Sequence, residues 1–232
     1  MWIIAVIIAL MLSATGAKAT HHNHNTDQLH IHNIHFSELD GPVTNEDFCT
    51  DVVDGDGITE EELRDRVADA LLFQPDRWDQ TGYVGSGTYC VDFFQGAYTC
   101  LDPVYGDRSS LEVQYRSYAT SPSAKPCGDG YSCVQFFNAV ASVHDHNDYL
   151  NSVVWLEEDH VALYDQYTRR QLISHETGHV LGFRDPVHGV CTNGPTIMNI
   201  PYYGCDDPGS GPTSHDKDVL VNDVIPNKHP NP

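Results

Sequence analysis

Apolar positions repeat with two different periods along the chain, and together they predict an α+β domain. Between residues 59 and 72 the apolar side chains fall three or four positions apart, as on one face of a helix, and Thr59 with Glu62 forms a capping box. Apolar and polar side chains alternate in residues 111–118, "LEVQYRSY", as in a half-buried strand. The pattern of the wider region 80–120 predicts further strands.

The second half of the chain repeats this mixture of periods. Residues 151–158, "NSVVWLEE", predict a strand, and residues 162–182 then run without a proline and predict one helix of about twenty residues. Residues 132–144 are apolar and fit either a strand or a helix. A short acidic helix is predicted over residues 214–225, with Ser214 as its N-cap.

The first 45 residues differ from the rest of the chain. Residues 1–19 hold an apolar run too short to span a bilayer and end in Ala17-Lys18-Ala19, a pattern that predicts a cleaved signal peptide and a secreted protein. Residues 20–45 carry six histidines and are predicted to be a disordered tail or a removable pro-segment, with loose zinc or copper capture as an alternative role. The remaining 46–232 has the length of one domain.

Seven cysteines in an exported chain of this size favour disulfides over thiol chemistry. The stretch "CVDFFQGAYTC" predicts a hairpin with the loop Phe94-Gln95-Gly96, which would set its two cysteines opposite each other. Cys49 is then left unpaired. The three predicted pairs are Cys90 with Cys100, Cys127 with Cys133, and Cys191 with Cys205.

The formal net charge of the 232-residue chain is −21, which disfavours nucleic acid and anionic membranes as partners because both select basic patches. The Asp- and Gly-rich stretch 51–57 has the composition of a calcium loop. Its register is not that of an EF-hand, since Val52 falls at the first ligand position. The EF-hand is therefore rejected, and a Ca²⁺ site of another kind stays open as an alternative that no pattern in the sequence supports.

The segment "SHETGHVLGFRDP", residues 174–186, holds the strongest chemical pattern in the chain. His175 and His179 lie four apart, so a helix directs both at one ion, and Glu176 stands beside that ion, where it can take a proton from water. Gly182 offers a left-handed helix end that lets the chain fold back and bring Asp185 to the ion as a third ligand. Two imidazoles, one carboxylate and an open position suit one catalytic Zn²⁺.

"HETGHVLGFRD" resembles the extended zinc signature of the metzincin peptidases. Asp185 stands where most of these signatures have a third histidine, and in this the segment is similar to the snapalysin family. "PTIMNI" is similar to the methionine turn of that clan. The resemblance implies that His175, His179 and Asp185 bind zinc, that Glu176 is general base and acid, and that Met198 is structural. Two cysteines, Cys191 and Cys205, flank the turn as in snapalysin-like chains. The similarity is confined to residues 170–205.

This resemblance implies a metzincin-like zincin fold, in which a twisted mixed sheet packs on helices, with an active-site helix and a small irregular C-terminal subdomain. Residues 46–232 would be the catalytic domain of a secreted, monomeric zinc metalloendopeptidase acting on peptide or protein substrates. The strand 151–158 would be the sheet edge along which the substrate lies. The alternative is an exported zinc-binding or scavenging protein without hydrolytic activity.

Several positions depart from the family pattern. Ile200 stands where some metzincins have a tyrosine, so Tyr202 or Tyr203 is the candidate donor to the oxyanion. His188 is an alternative third ligand, although it lies three residues beyond the position in the motif. An unpaired Cys49 raises the further hypothesis of a cysteine that occupies the metal site in a latent form.

Overall fold

The computed structural model describes eleven parts of the chain, and His175, His179 and Asp185 are among the described residues. These parts are residues 34–36, 45–53, 57–85, 88–100, 112–119, 126–127, 132–140, 147–183, 185, 195–199 and 207–220. The predicted signal peptide lies outside the described residues, as do Cys191, Cys205, His188, Tyr202 and Tyr203.

The described strands and helices are largely segregated along the chain, with five consecutive strands followed by three helices, and the class is α+β as predicted. The seven strands are β1 (Ile34–Phe36), β2 (Asn45–Val52), β3 (Thr81–Gly85), β4 (Thr88–Thr99), β5 (Glu112–Tyr118), β6 (Cys133–Val140) and β7 (Asn147–Glu157). The helices are α1 (Glu60–Ala68), which continues into a π-helical turn (Asp69–Phe73), then α2 (Glu158–Leu163), α3 (Gln166–Val180) and α4 (Ser214–Val219).

These strands form one mixed sheet in the order β1-β7-β5-β2-β4-β3. β6 lies outside this order and pairs with the side of β7 that faces away from β5. The strands β4, β2, β5 and β7 run parallel, whereas β6 is antiparallel to β7. The prediction that residues 151–158 form the sheet edge is therefore wrong, because β7 has β5 on one side and β6 on the other. A central strand is buried on both faces, which explains its nearly continuous apolar run through Val153 and Val154.

Each face of this sheet has its own apolar cluster. On one face, α1 and α3 pack against alternate side chains of the strands, and the shared core includes Leu63, Val67, Val113, Tyr115, Val154, Leu156, Ile173 and Val180. On the other face lie Tyr118, Cys127, Cys133, Val153 and Trp155. His175 and His179 are on the helix-covered face, because they belong to α3.

The disulfides differ from the predicted set at one pair. Cys127 bonds to Cys133 as predicted, but Cys100 bonds to Cys49, so the pair Cys90–Cys100 is wrong and Cys49 has a partner. The predicted hairpin does not form, since residues 88–99 make one long strand that runs parallel to β2. Thr50 pairs with Thr99 in that register, which brings the neighbouring Cys49 and Cys100 within bonding distance. Because Cys49 is bonded, it is not the thiol of a latency switch.

Helix boundaries were predicted less well than helix positions. The capping box of Thr59 and Glu62 is confirmed. The single helix expected over residues 162–182 is two helices, because the side chain of Asp165 accepts a hydrogen bond from Thr168 N and starts α3 afresh. The cap of α4 is Thr213, which forms a capping box with Asp216, and not Ser214.

Three further findings concern segments that the sequence left open or assigned differently. The ambiguous apolar region 132–144 contains the strand β6. Residues 34–36, inside the segment predicted to be a disordered tail or a removable pro-segment, pair with the start of β7 as the strand β1. Among the described helices, none is both long and apolar enough to cross a membrane.

Candidate metal centre

The two motif histidines lie on one face of α3, one turn apart, and both are buried. Their rings meet edge to face with centroids 4.7 Å apart, and the two Nε2 atoms are 3.1 Å apart. The spacing of four residues thus has the predicted consequence, in that two nitrogen atoms of different side chains point at the same small volume.

The end of α3 turns the chain back toward these nitrogens. Phe183 N donates to Gly178 O and Gly182 N donates to His179 O, which is the hydrogen-bond pattern of a Schellman motif. Gly182 has a φ of 100°, a conformation that glycine adopts without strain. The reversal brings Asp185 Oδ1 to 3.2 Å from His175 Nε2 and 3.5 Å from His179 Nε2.

Each imidazole is oriented by its other nitrogen. His175 Nδ1 lies 3.1 Å from the carbonyl oxygen of Ile197, and His179 Nδ1 lies 2.9 Å from that of Phe183. A carbonyl oxygen only accepts, so the protons are on the Nδ1 atoms, and in the neutral rings each Nε2 presents a lone pair. Metal-binding histidines are commonly held in this way.

The three inward-facing atoms have the spacing that a tetrahedral ion requires. Ligands about 2.0–2.1 Å from a central zinc lie roughly 3.3 Å from one another, and the three distances here are 3.1, 3.2 and 3.5 Å. Two neutral imidazole nitrogens and a carboxylate repel at such distances unless a proton or a cation lies between them. Within the part of the chain that the structure describes, these three side chains form the one group of this kind close enough to hold a metal ion.

The electrostatics of the metal-free centre also favour a positive charge. Burial by itself would lower the pKa of His175, but the hydrogen bond and the charge of Asp185 raise it to about 9. Burial would conversely raise the pKa of Asp185, and the two imidazoles outweigh it and hold that pKa far below its ordinary range. A proton therefore occupies the centre at neutral pH when no metal does.

Glu176 is the most unusual side chain of the centre. It is fully buried, and within the described structure neither of its carboxylate oxygens has a hydrogen-bond partner. Burial is the largest effect and raises the pKa of Glu176. The charges of His175 and His179 lower this pKa, and the charge of Asp185 raises it. A buried carboxyl group without partners is costly, so the fold keeps Glu176 in a state suited to accepting and releasing protons.

Met198 packs against α3 at Gly178. The side chain is fully buried, and its Sδ lies 2.6 Å from the point where a Cβ on Gly178 would stand. Only a glycine at that position of α3 allows this approach. The turn around Met198 also supplies the Ile197 carbonyl group that holds His175.

Several supporting side chains gave no recognisable pattern in the sequence. Trp78 donates from Nε1 to Ser174 O and packs against Phe183, whose carbonyl group holds His179. Tyr115 of β5 hydrogen-bonds through its hydroxyl group to Thr177 Oγ1, 2.9 Å away, and ties α3 to the sheet. The hydrogen bonds of Trp78 and Tyr115 join residues 96 and 62 positions apart, so no local spacing in the sequence marks either of them.

No family model, no characterised protein and no solved structure matches this chain.

Proposed function

We propose that this chain is a secreted zinc-dependent endopeptidase with a metzincin-like zincin fold and a small C-terminal subdomain beneath the metal. The observation that carries the proposal is the convergence of His175, His179 and Asp185 next to the buried carboxyl group of Glu176, which has no hydrogen-bond partner among the described residues. A site that only stores a metal ion has no use for an additional buried carboxyl group, because burying it costs stability.

Zinc is the metal that this donor set suits best. Two imidazoles with one carboxylate and an open fourth position are a common ligand set of catalytic zinc, and the spacing of the three atoms fits tetrahedral geometry. Calcium and magnesium prefer more oxygen ligands than this centre offers. When bound, zinc supplies Lewis acidity, which polarises a carbonyl group and makes water ionise near pH 7.

Glu176 would transfer the protons of the reaction. Its raised pKa brings it closer to neutrality, where one carboxyl group can both take a proton from the attacking water and return it to the leaving amine. Its neighbours His175 and His179 cannot do this while both are held as ligands. Glu176 is therefore the catalytic residue of the proposal.

An extended peptide would bind at the edge of the sheet formed by β6. β6 pairs with β7 along one side, and no described strand pairs with its other side. α3, the helix that carries His175 and His179, packs near both strands, which favours β6 as the edge from which a bound peptide would reach the metal centre. Main-chain hydrogen bonds of this kind give affinity for extended, unfolded segments with little dependence on sequence.

The proposal is tested by hydrolysis of an unfolded protein, with wild type and Glu176→Gln at equal zinc content. We expect turnover by the wild type and a loss of at least about 100-fold in kcat for the variant, the upper range being about 10⁴-fold for general acid–base catalysis. Zinc affinity should stay close to that of the wild type, because Glu176 is not a ligand.

The same comparison separates the enzyme from a zinc-scavenging protein. A scavenger would bind zinc in both proteins and hydrolyse nothing in either. Equal hydrolysis by wild type and Glu176→Gln would refute the assigned role of Glu176.

A further inference from the structure

The carboxylate of Asp216 in α4 is fully buried and is surrounded by neutral donors. Thr196 Oγ1 donates to Asp216 Oδ1, whereas Ile197 N at 2.9 Å and Thr213 N at 2.7 Å donate to Oδ2. Among the described residues no lysine or arginine forms an ion pair with it. Burying a carboxylate with hydrogen bonds alone is expensive, which suggests that its charge serves a purpose beyond capping a six-residue helix.

A continuous chain of hydrogen bonds leads from this carboxylate to the metal centre. Thr196 Oγ1, which donates to Asp216, accepts from Met198 N at 3.2 Å. That N–H belongs to the same peptide unit as the carbonyl group of Ile197, which accepts from His175 Nδ1 at 3.1 Å. Every donor in the chain points toward Asp216, so each bond polarises the next in the same sense.

We propose that Thr196 and Asp216 are positioning residues that orient His175 and increase the basicity of its Nε2 through the Ile197–Met198 peptide unit. This inference rests on the proposed function, since it requires His175 to be a metal ligand. In many metal sites a carboxylate accepts directly from the second nitrogen of a ligating histidine and strengthens the ligand. Here a hydroxyl group and a peptide unit transmit the same effect over a longer path.

The experiment compares three variants of the full-length protein by zinc affinity in a competition titration. Thr196→Val removes the hydroxyl group that links Met198 N to Asp216, and Thr196→Ser restores it. Thr50→Val is the matched control: Thr50 is equally buried and also donates to a carboxylate, that of Glu60, at 2.6 Å, but on β2. The visible absorption spectrum of the Co²⁺-loaded proteins reports the ligand geometry independently of activity.

We expect Thr196→Val to weaken zinc binding by about 10-fold, the lower end of the range for losing an outer partner of a ligand, and to shift the Co²⁺ spectrum. Thr196→Ser should return both to wild-type values, and Thr50→Val should lose stability without losing affinity. Should Thr196→Val fail to fold, Asp216→Asn removes the charge and one acceptor oxygen and should weaken zinc binding in the same direction.

Two outcomes overturn the inference, and they are distinguishable. If the wild type binds zinc and Thr196→Val or Asp216→Asn binds it equally well with an unchanged Co²⁺ spectrum, Thr196 and Asp216 are structural only and the proposed function stands. If the wild type binds no zinc tightly, both the inference and the proposed function fail.

Discussion

At His175 and His179 the Nδ1 protons are committed to backbone carbonyl groups, and the two Nε2 atoms face Asp185. The sequence predicted that the two histidines and Asp185 converge, because the spacings between these residues follow from helix geometry and from a glycine that ends the helix, but it did not predict the carbonyl groups that hold the Nδ1 atoms. It could not predict Thr196 and Asp216, which reach His175 through a backbone segment that lies apart from α3 in sequence.

The charge at His175 predicts how the stability of the metal-free protein depends on pH. The pKa of this histidine is about 9 in the folded chain and ordinarily 6.5, so its stabilising contribution is complete below pH 6.5 and is lost as the pH rises toward 9. The pKa of Asp185 is lowered in the folded chain, so this carboxylate stabilises the fold above pH 3.8 and loses that contribution as the pH falls further. Denaturation of the chelated protein should therefore show a stability maximum between these values, and a rise in stability from pH 7 to 9 would contradict the assignment.

Zinc binding should release a proton at neutral pH. His175 is protonated in the metal-free centre and must be neutral as a ligand, so zinc displaces about one proton at pH 7 and affinity increases with pH up to about 9. Calorimetry in buffers of different ionisation enthalpy measures this number. Binding without proton release would mean that His175 is not a ligand.

Replacing Asp185 with alanine should lower the pKa of His175. Burial lowers that pKa and the carboxylate of Asp185 raises it, with smaller raising contributions from the charge of Glu176 and the carbonyl group of Ile197, so Asp185→Ala should bring the pKa well below about 9. Titration of the histidine resonances by nuclear magnetic resonance in the metal-free protein tests this. Asp185→Glu is the control that retains the charge, and an unchanged pKa in Asp185→Ala would exclude contact between the two side chains.

Among the elements, α3 and the turn around Met198 fit together through the absence of a side chain at Gly178. Gly178→Ala would set a Cβ 2.6 Å from Met198 Sδ, and overpacking of this kind costs about 1–3 kcal/mol. A double-mutant cycle with Met198→Ala separates this contact from helix propensity, because removing the methionine side chain should make Gly178→Ala far less harmful. Additive effects in chemical denaturation would show that the two residues do not interact.

Element boundaries show where local pattern stops determining structure. A proline-free stretch predicted one helix, but the strong N-cap Asp165 divides it into α2 and α3. A glycine between aromatic residues predicted a hairpin, yet that stretch is one strand, because its parallel pairing with β2 involves residues about fifty positions earlier. The central place of β7 likewise depends on partners far away in the chain, and only its two-sided apolar character was visible locally.

At the scale of the whole molecule, the two disulfides found among the described residues should differ in their effect on stability. The Cys49–Cys100 bond closes a loop of 51 residues and the Cys127–Cys133 bond one of 6, so loop entropy predicts stabilisations of about 4 and about 2 kcal/mol. Replacing each pair by alanines and measuring the free energy of unfolding tests the order. A larger loss from the short loop would show that native packing, and not loop closure, dominates.

The scale of the whole molecule is also where the sequence was least informative. Composition and hydrophobic period predicted the α+β class, and the cysteine count predicted disulfides. The pairing of Cys49 with Cys100 could not be read from spacing, because it follows from the parallel register of β2 and β4. Strand order in this sheet is set by non-local pairing in the same way.

The central claim is that His175, His179 and Asp185 hold one metal ion, and its most direct test is zinc binding by the full-length wild type and by His179→Ala. The wild type should show one tight site per chain above any loose binding by the histidine-rich residues 20–45. His179→Ala should weaken that site by more than the 10–100-fold expected for loss of an outer-shell partner. Retention of the tight site in His179→Ala would contradict the account, because the ion would then be bound elsewhere.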